Sequence, residues 1–322
     1  MYLTPHPSWQ IIDSTKLKRY QECHRAYLFE YIFGWRSSQA YNDLAFGGAW
    51  AKAMEVLRKH GYSNDAITLA YMAFLEHYRG EGFDEESDEL FFPKTPARAL
   101  GAMAEYVELY SDDLRKYQVI HSEVAGSVPV SKNRVMYFKC DSILHSDELG
   151  YLSHEDKTTK SINRMWQDQW PLSTQVGCYS HVLYCLYPEN EVFGVVINGT
   201  GFKPVKGTRG AAMYDFARIS CRQSLDQMEA WLAETNLYLD ELDQDMDWLA
   251  DCEPDDRLMI AFKRNPQSCT KYRGCGYHHF CVSRTNPLSL FAQGLPIGFK
   301  VEHWNPMDIK VSERIDIPSV NK

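Results

Sequence analysis

The sequence lacks long apolar runs. Its hydrophobic stretches are short and broken by charge, which leaves no segment able to span a bilayer as a helix. The opening residues, MYLTPHPSWQIIDSTKLKRY, lack the basic-then-apolar layout of a secretory signal, so a cytoplasmic protein is expected. There is no internal repeat and no low-complexity tract, which excludes solenoids and compositional linkers. No G-x-x-x-x-G-K-[ST] segment occurs, so a P-loop helicase motor is excluded. A C-x-x-x-C-x-x-C run is also missing, which counts against a radical enzyme of the iron–sulfur type.

What is present is 322 residues, 44% of them hydrophobic and 24% charged, enough for one large core or two modest ones. Nine cysteines is many for a reducing compartment, where metal or cluster ligation is commoner than disulfides. The net charge of −9 argues at first against a polyanionic partner. Its distribution is uneven, however. Residues 226–256 are densely acidic, whereas Lys203, Lys206, Arg209, Arg218 and Arg222 are opposed only by Asp215. Local field governs polyanion binding more than the total does, so net charge decides nothing.

Asp13 or Ser14 is expected to cap a helix running through LKRYQECHRAYLFEYIFGW. Further helices are expected over Ala45–Lys59, Asn64–Tyr78 and Ala97–Lys116. The pattern then alternates with period two in HSEVAGSVPVS, RVMYFKCDSILH and GYLSHEDKTT, with SDELG as a turn. A helix over Leu172–Tyr187, the strands EVFGVVINGTGF and AMYDFARISC, and an acidic helix to about Trp248 follow. This order reads as a mixed α/β core with a helical N-terminal addition.

Chemistry gathers on the middle strands. Glu155 and Lys157 alternate onto one face while Asp156 points away, and a hairpin can bring Asp141 alongside them. Two carboxylates on one face are costly unless a cation lies between them, and oxygen donors suit Mg²⁺ or Mn²⁺. A neighbouring lysine can position water and offset phosphate charge. An Asp and an E-x-K triplet are also common on solvated strands, so the residues alone leave both readings open. Gln175 and Tyr179, spaced i,i+4 on the next helix, share a face that can look onto this cluster.

Asp, then E-x-K, then Q-x-x-x-Y in this order resembles the RecB-like branch of the PD-(D/E)XK nucleases. FGGAWAKAMEVL resembles that family's first motif, G-x-x-x-H-x-x-x-E, with Gly47 and Glu55 in place and Ala51 at the histidine position. The resemblance runs over roughly residues 14–200. It implies a restriction-endonuclease-like α/β core that cleaves DNA as a metal-dependent exonuclease. Asp141 and Glu155 become metal ligands, Lys157 the catalytic lysine, and Gln175 and Tyr179 residues that orient the DNA backbone. Because alanine binds no metal, cleavage is expected to be impaired. The alternative is a non-catalytic DNA-binding relative. Glu123, on the first strand, is expected to face solvent, with a role as a further acid the lesser reading.

Cys269, Cys275 and Cys281 stand at two equal intervals near the end of the sequence, with Cys23 on the first helix. That spacing suits zinc poorly, since zinc sites usually begin with closer pairs. Four thiolates are what a 4Fe–4S cluster requires; unrelated free cysteines are the bland alternative. One early cysteine with a late trio resembles the iron–sulfur subgroup of these nucleases, which includes AddB-type helicase–nucleases and CRISPR-adaptation exonucleases; phage recombination, repair and CRISPR adaptation all stay open as pathways. The resemblance implies a structural cluster in a cysteine-rich C-terminal segment, stapling the chain ends. Cys140, Cys178, Cys185, Cys221 and Cys252 read as buried free thiols. His278 and His279 read as a solvated loop pair. Lys206 and Arg209, in a segment whose turns Gly199, Gly201, Gly207 and Gly210 would loosen, either track a DNA backbone or form a plain surface hairpin. The expected division is a helical part over 1–117, a nuclease core over 118–222 and an acidic helix with the cysteine segment over 223–322, integrated as one domain.

Overall fold

Asp13 opens the first helix, accepting from the Lys16 amide at 2.8 Å. In the computed structural model, which describes residues 2–204, 213–271, 274–309 and 311–318, that helix does not run on to Trp35. It stops as α1 (Ser14–Glu22), and Cys23 is extended, with φ −169° and ψ 111°. The chain restarts as α2 (His24–Tyr27), followed by a π-helical turn over Leu28–Ile32. Tertiary hydrogen bonds cause the break. Asn265 Nδ2 and Ser268 Oγ donate to the Glu22 carbonyl at 2.9 and 2.6 Å, and the Arg25 amide donates to the Lys263 carbonyl at 3.1 Å. A distant segment thus takes up backbone groups that a continuous helix would have paired internally.

After β1 (Trp35–Ser37) come α3 (Asn42–His60), α4 (Asn64–Gly80) and α5 (Pro96–Leu109). Gly61 ends α3 at φ 86°, Ser63 caps α4, and Thr95 caps α5 with proline in the first turn. The expected helix over Ala97–Lys116 is divided, with α6 (Asp113–Lys116) set apart. The break leaves Asp113 paired with Arg218 Nη1 at 2.8 Å.

The strands are β2 (Gln118–Ser131), β3 (Arg134–Ser146) and β4 (Gly150–Thr159). Then follow α7 (Arg164–Asp168), α8 (Thr174–Leu186), β5 (Val192–Phe202), β6 (Tyr214–Cys221) and α9 (Leu225–Ala250). The C-terminal part adds α10 (His278–Ser283), α11 (Leu288–Phe291), β7 (Phe299–Val301) and β8 (Glu313–Asp316). The main sheet is mixed and six-stranded, in the order β6-β5-β4-β3-β2-β8. The meander β2–β3–β4 is antiparallel, β5 runs parallel to β4 after the α7–α8 crossover, and β8 runs parallel to β2. The fold is therefore a mixed α/β architecture. Strands β7 and β8 were not legible as strands; β7 pairs with β1 in a small second sheet.

Two large cores flank the sheet, and a small third cluster gathers Leu144, Leu152 and Val196. One joins Leu17, Val128, Leu183, Leu249 and Phe280, so the expected N-terminal, central and C-terminal parts share it. The other joins α3, α4 and α5 to Phe202 and Tyr214. Gly199 and Gly201 lie within β5 and loosen no turn. Cys140, Cys178, Cys221 and Cys252 are buried, but Cys185 is exposed near the end of α8, where the helix leaves the sheet. Among the described residues no helix is long and apolar enough to cross a membrane.

Candidate functional site at the parting of two strands

Strands β3 and β4 pair from Ser146–Gly150 to Ser142–His154 and then part company. Beyond that point β3 continues against β2, with one bridge from Tyr137 to Asp13 on its other edge, and β4 continues against β5. Asp141 and Glu155 stand at the fork. Asp141 Oδ2 accepts from the Asp156 amide at 3.0 Å, and Glu155 Oε1 accepts from the Asp141 amide at 3.2 Å and from Ser153 Oγ at 3.0 Å. Each carboxylate thus replaces a lost ladder bond with one oxygen, leaving the other outside these backbone bonds.

Glu155 is buried, and burial, with the Asp141 charge second, pushes its pKa up to about 8. Lys157 Nζ lies 3.5 Å from Glu155 Oε2. Burial works against the lysine charge, but Glu155, Asp141 and Asp156 outweigh it and hold the Lys157 pKa above the ordinary value. On α8, Gln175 Nε2 donates to Tyr179 Oη at 2.9 Å, and Tyr179 Oη donates to the Lys139 carbonyl. The helix is thereby docked on β3 two residues before Asp141. Burial first, and Glu155 next, raises the Tyr179 pKa well above its ordinary value.

Asp156 points the other way, as alternation requires, into an ion pair with Arg58 of α3 at 2.5 Å and a bond from Asn198 Nδ2 at 2.7 Å. Helix α3 crosses that side of β4: a Cβ at Gly47 would stand 3.7 Å from Thr158 Oγ1. Half-buried Ala51 lies between these two anchors, and α3 reaches the fork from that side through Arg58, which feels the Asp141 charge, and Lys52, which pairs with Glu123 opposite Asp141. Glu55 does not face the fork alone; it pairs with Lys52 at 3.2 Å and Lys59 at 2.5 Å.

Glu123 departs from expectation. It is 2% exposed rather than solvent-facing, because Lys52 and Lys139 hold it at 2.9 and 3.0 Å. It falls in register opposite Asp141, between the pairs Ser122–Ser142 and Val124–Cys140, with φ at +52°. A non-glycine residue there is uncommon and is sustained by its surroundings. The sequence offered only an acid on a strand; the two lysines come from other elements. Among the described residues no group of three or more His, Cys, Asp or Glu is placed to hold a metal ion. The fork accordingly offers two carboxylates, with Ala51 contributing no donor.

A second locus lies at the break after α1. Cys23, Cys269, Cys275 and Cys281 line one cavity of about 570 Å³. Burial raises the Cys281 thiol to about 11, with Cys23, Cys275 and Cys269 adding to the rise, so the four sulfurs are in electrostatic reach of one another. The Asn265 amide donates to Cys23 Sγ at 3.4 Å. Arg25 is buried and within reach of Cys281 and Cys23, and its Nη1 has no partner. His278 and His279 are exposed at the start of α10. Lys206 and Arg209 lie outside the described residues.

No family model matches the chain. A stretch of 70 residues, 22% of the chain, is 34% identical to the tyrosine recombinase XerA of Thermococcus onnurineus (strain NA1), and it spans 22% of that protein's length. Among solved structures the chain is similar to the crystal structure of SSO0001, with 11% identity and a TM-score of 0.28 over 73% of this chain and 78% of the other. A likeness that slight carries no argument.

Proposed function

We propose that this chain is a metal-dependent DNA nuclease with a PD-(D/E)XK core and a structural 4Fe–4S cluster. The observation that carries the reading is the fork itself, where Asp141, Glu155 and Lys157 meet at the point at which two strands separate. A buried carboxylate repelled by the charge of a half-buried one is a site that a cation relieves, which fits Mg²⁺ or Mn²⁺ held by Asp141 and Glu155. When bound, the cation supplies Lewis-acid polarisation of a phosphate and a more acidic water. Lys157 offsets phosphate charge and orients the attacking water. Tyr179, its hydroxyl proton spent on the Lys139 carbonyl, fixes Gln175, whose remaining amide N–H orients the DNA backbone.

The cysteine locus fits the cluster by its donor set. Thiolates around one zinc ion crowd to within about 4 Å of one another, whereas a four-iron cubane spreads them over a larger body. Four cysteines around one cavity supply the thiolates that the second case requires. The orphaned Arg25 Nη1 and the Asn265 amide are donors toward a sulfur-rich, anionic group. When bound, the cluster supplies a staple between the first helix and the C-terminal segment.

Ala51 favours a second reading, a DNA-binding relative that has lost chemistry. One experiment separates them. Anaerobically purified protein is incubated with single- and double-stranded DNA and Mn²⁺ or Mg²⁺, with Lys157→Ala as control. Slow, metal-dependent cleavage lost in the control supports the nuclease; DNA binding without cleavage under either metal supports the relative.

A further inference from the structure

Alternation in β5 removes two side chains beside the fork. In the parallel ladder Gly199 is the partner of Lys157, and Gly201 is the partner of Thr159. Paired residues stand on the same face of a sheet, so both glycines clear the surface next to Lys157. A Cβ at Gly199 would collide with the Trp166 ring, and one at Gly201 would stand 3.3 Å from Ile162. The outer edge of the indole's six-membered ring therefore closes on bare backbone beside the lysine.

Its position is fixed from several sides. Asn163 caps α7 by accepting from the Trp166 amide at 2.9 Å, and Gln169 Nε2 donates to the Trp166 carbonyl at 2.9 Å. Trp170 meets the Trp166 ring edge-on, with centroids 5.5 Å apart and planes at 76°, and its own buried Nε1 has no partner. Trp166 remains partly exposed; its chain neighbour Met165 and, six residues on, Leu172 are 84% and 88% exposed. A rigid, part-open aromatic with an apolar rim, next to a lysine that offsets phosphate charge, matches one nucleotide: phosphate at the lysine, base on the ring.

We propose that Trp166 is a base-stacking residue that makes the fork select an unpaired nucleotide, so that its substrate is single-stranded DNA or a frayed end. The inference rests on the nuclease reading for the position of the phosphate. Inside a duplex both faces of a base are covered by its neighbours, so a lateral indole gains a partner only where the strand is single. Loss of a stacking aromatic lowers affinity by on the order of 10- to 100-fold.

The test measures binding without divalent metal, on short oligonucleotides carrying 2-aminopurine at successive positions. Trp166→Leu keeps apolar cover over Gly199 but offers no π face; Trp166→Phe keeps a smaller one. Wild-type protein is expected to bind single strands more tightly than blunt duplex and to change 2-aminopurine emission at one position. Affinity should fall in the order Trp, Phe, Leu, by about 10-fold or more at leucine. An abasic nucleotide at that position should erase the difference between variants. Should the leucine variant fail to fold, the phenylalanine variant and the abasic strand decide. Equal affinities across folded variants, no position-specific emission change, or blunt duplex bound as tightly as single strand would overturn the proposal. Binding of this pattern without cleavage defeats the nuclease reading alone, whereas cleavage with an unchanged KM in Trp166→Leu defeats stacking alone.

Discussion

Asp141 and Glu155 brace each other across the fork: each accepts a hydrogen bond at the other's strand, at 3.0 Å from the Asp156 amide and 3.2 Å from the Asp141 amide. The proposed metal ligands are thus also what satisfies the backbone where the ladder ends. Their positions are held by amides, which move less than side chains do, so the site is organised before any cation arrives.

That arrangement carries a pH dependence. Burial, then the Asp141 charge, raises the folded-state pKa of Glu155 to about 8 from a usual 4.5. A group raised in the folded state contributes stability that is full below the unfolded pKa and lost as pH rises through the folded one. Metal-free wild-type protein should therefore lose stability relative to Glu155→Gln between about pH 4.5 and 8. Denaturant melts of both proteins at four pH values check this. Added Mn²⁺ should stabilise wild type more at pH 8 than at pH 6, because a ligand carboxylate must be ionised. A pH-independent difference between the two proteins would show that Glu155 ionises freely.

The fork was partly legible because alternation is local: Glu155 and Lys157 had to share a face, and the SDELG turn had to return the chain past Asp141. What was illegible depends on partners far along the chain. Nothing in QECHRAY announces a break at Cys23, since Asn265 and Ser268 impose it. Glu123 looks like any acid on a strand until Lys52 and Lys139 arrive from other elements. Strand β8 is four residues long, too short to show a period, and pairs with β2 across most of the chain. For Trp166 a signal existed in the G-x-G of β5, which marks a close approach on one face, but not what approaches.

The Arg58–Asp156 pair on the opposite side of β4 is closed at 2.5 Å, with both side chains nearly inaccessible. Removing one partner of such a pair leaves an uncompensated buried charge and costs about 3–5 kcal/mol. Asp156→Ala should destabilise by that order in chemical denaturation. Replacing both residues, as Arg58→Met with Asp156→Leu, should cost less than the single change. If Asp156→Ala is within experimental error of wild type, water reaches the pair and the burial is incomplete.

The cysteine locus predicts a coloured protein. Anaerobic purification should give about four iron and four sulfide per chain, with the broad visible absorption of a cluster. Cys23→Ser, Cys269→Ser, Cys275→Ser and Cys281→Ser should each bleach it and reduce soluble yield. Cys140→Ser and Cys185→Ser should leave the iron content unchanged, since neither lines the cavity. Stoichiometric zinc without iron, from an iron-replete host, would defeat the cluster.

Ala51 sets the last prediction. It sits on α3 between Gly47, which approaches Thr158, and Arg58, which pairs with Asp156, so the helix is anchored at both ends of the gap. A shifted alignment would have to move those anchors too. Lys52 does not fill the gap: it lies about 100° around the helix, and its ammonium is spent on Glu55 and Glu123. The fork is left with two acidic donors, enough to hold a cation weakly and too few to fix its geometry. Turnover and metal affinity should therefore be low together, whereas the proposed DNA binding needs no metal and should survive. Ala51→His should raise Mn²⁺-dependent cleavage by at least 10-fold, about 1.4 kcal/mol of barrier, and tighten Mn²⁺ binding in calorimetry. Adding Lys157→Ala to that variant should abolish cleavage while leaving the gain in Mn²⁺ affinity. If Ala51→His folds, keeps its iron and stays inert with both metals on single- and double-stranded DNA, the chain is a binding relative whose fork no longer performs hydrolysis.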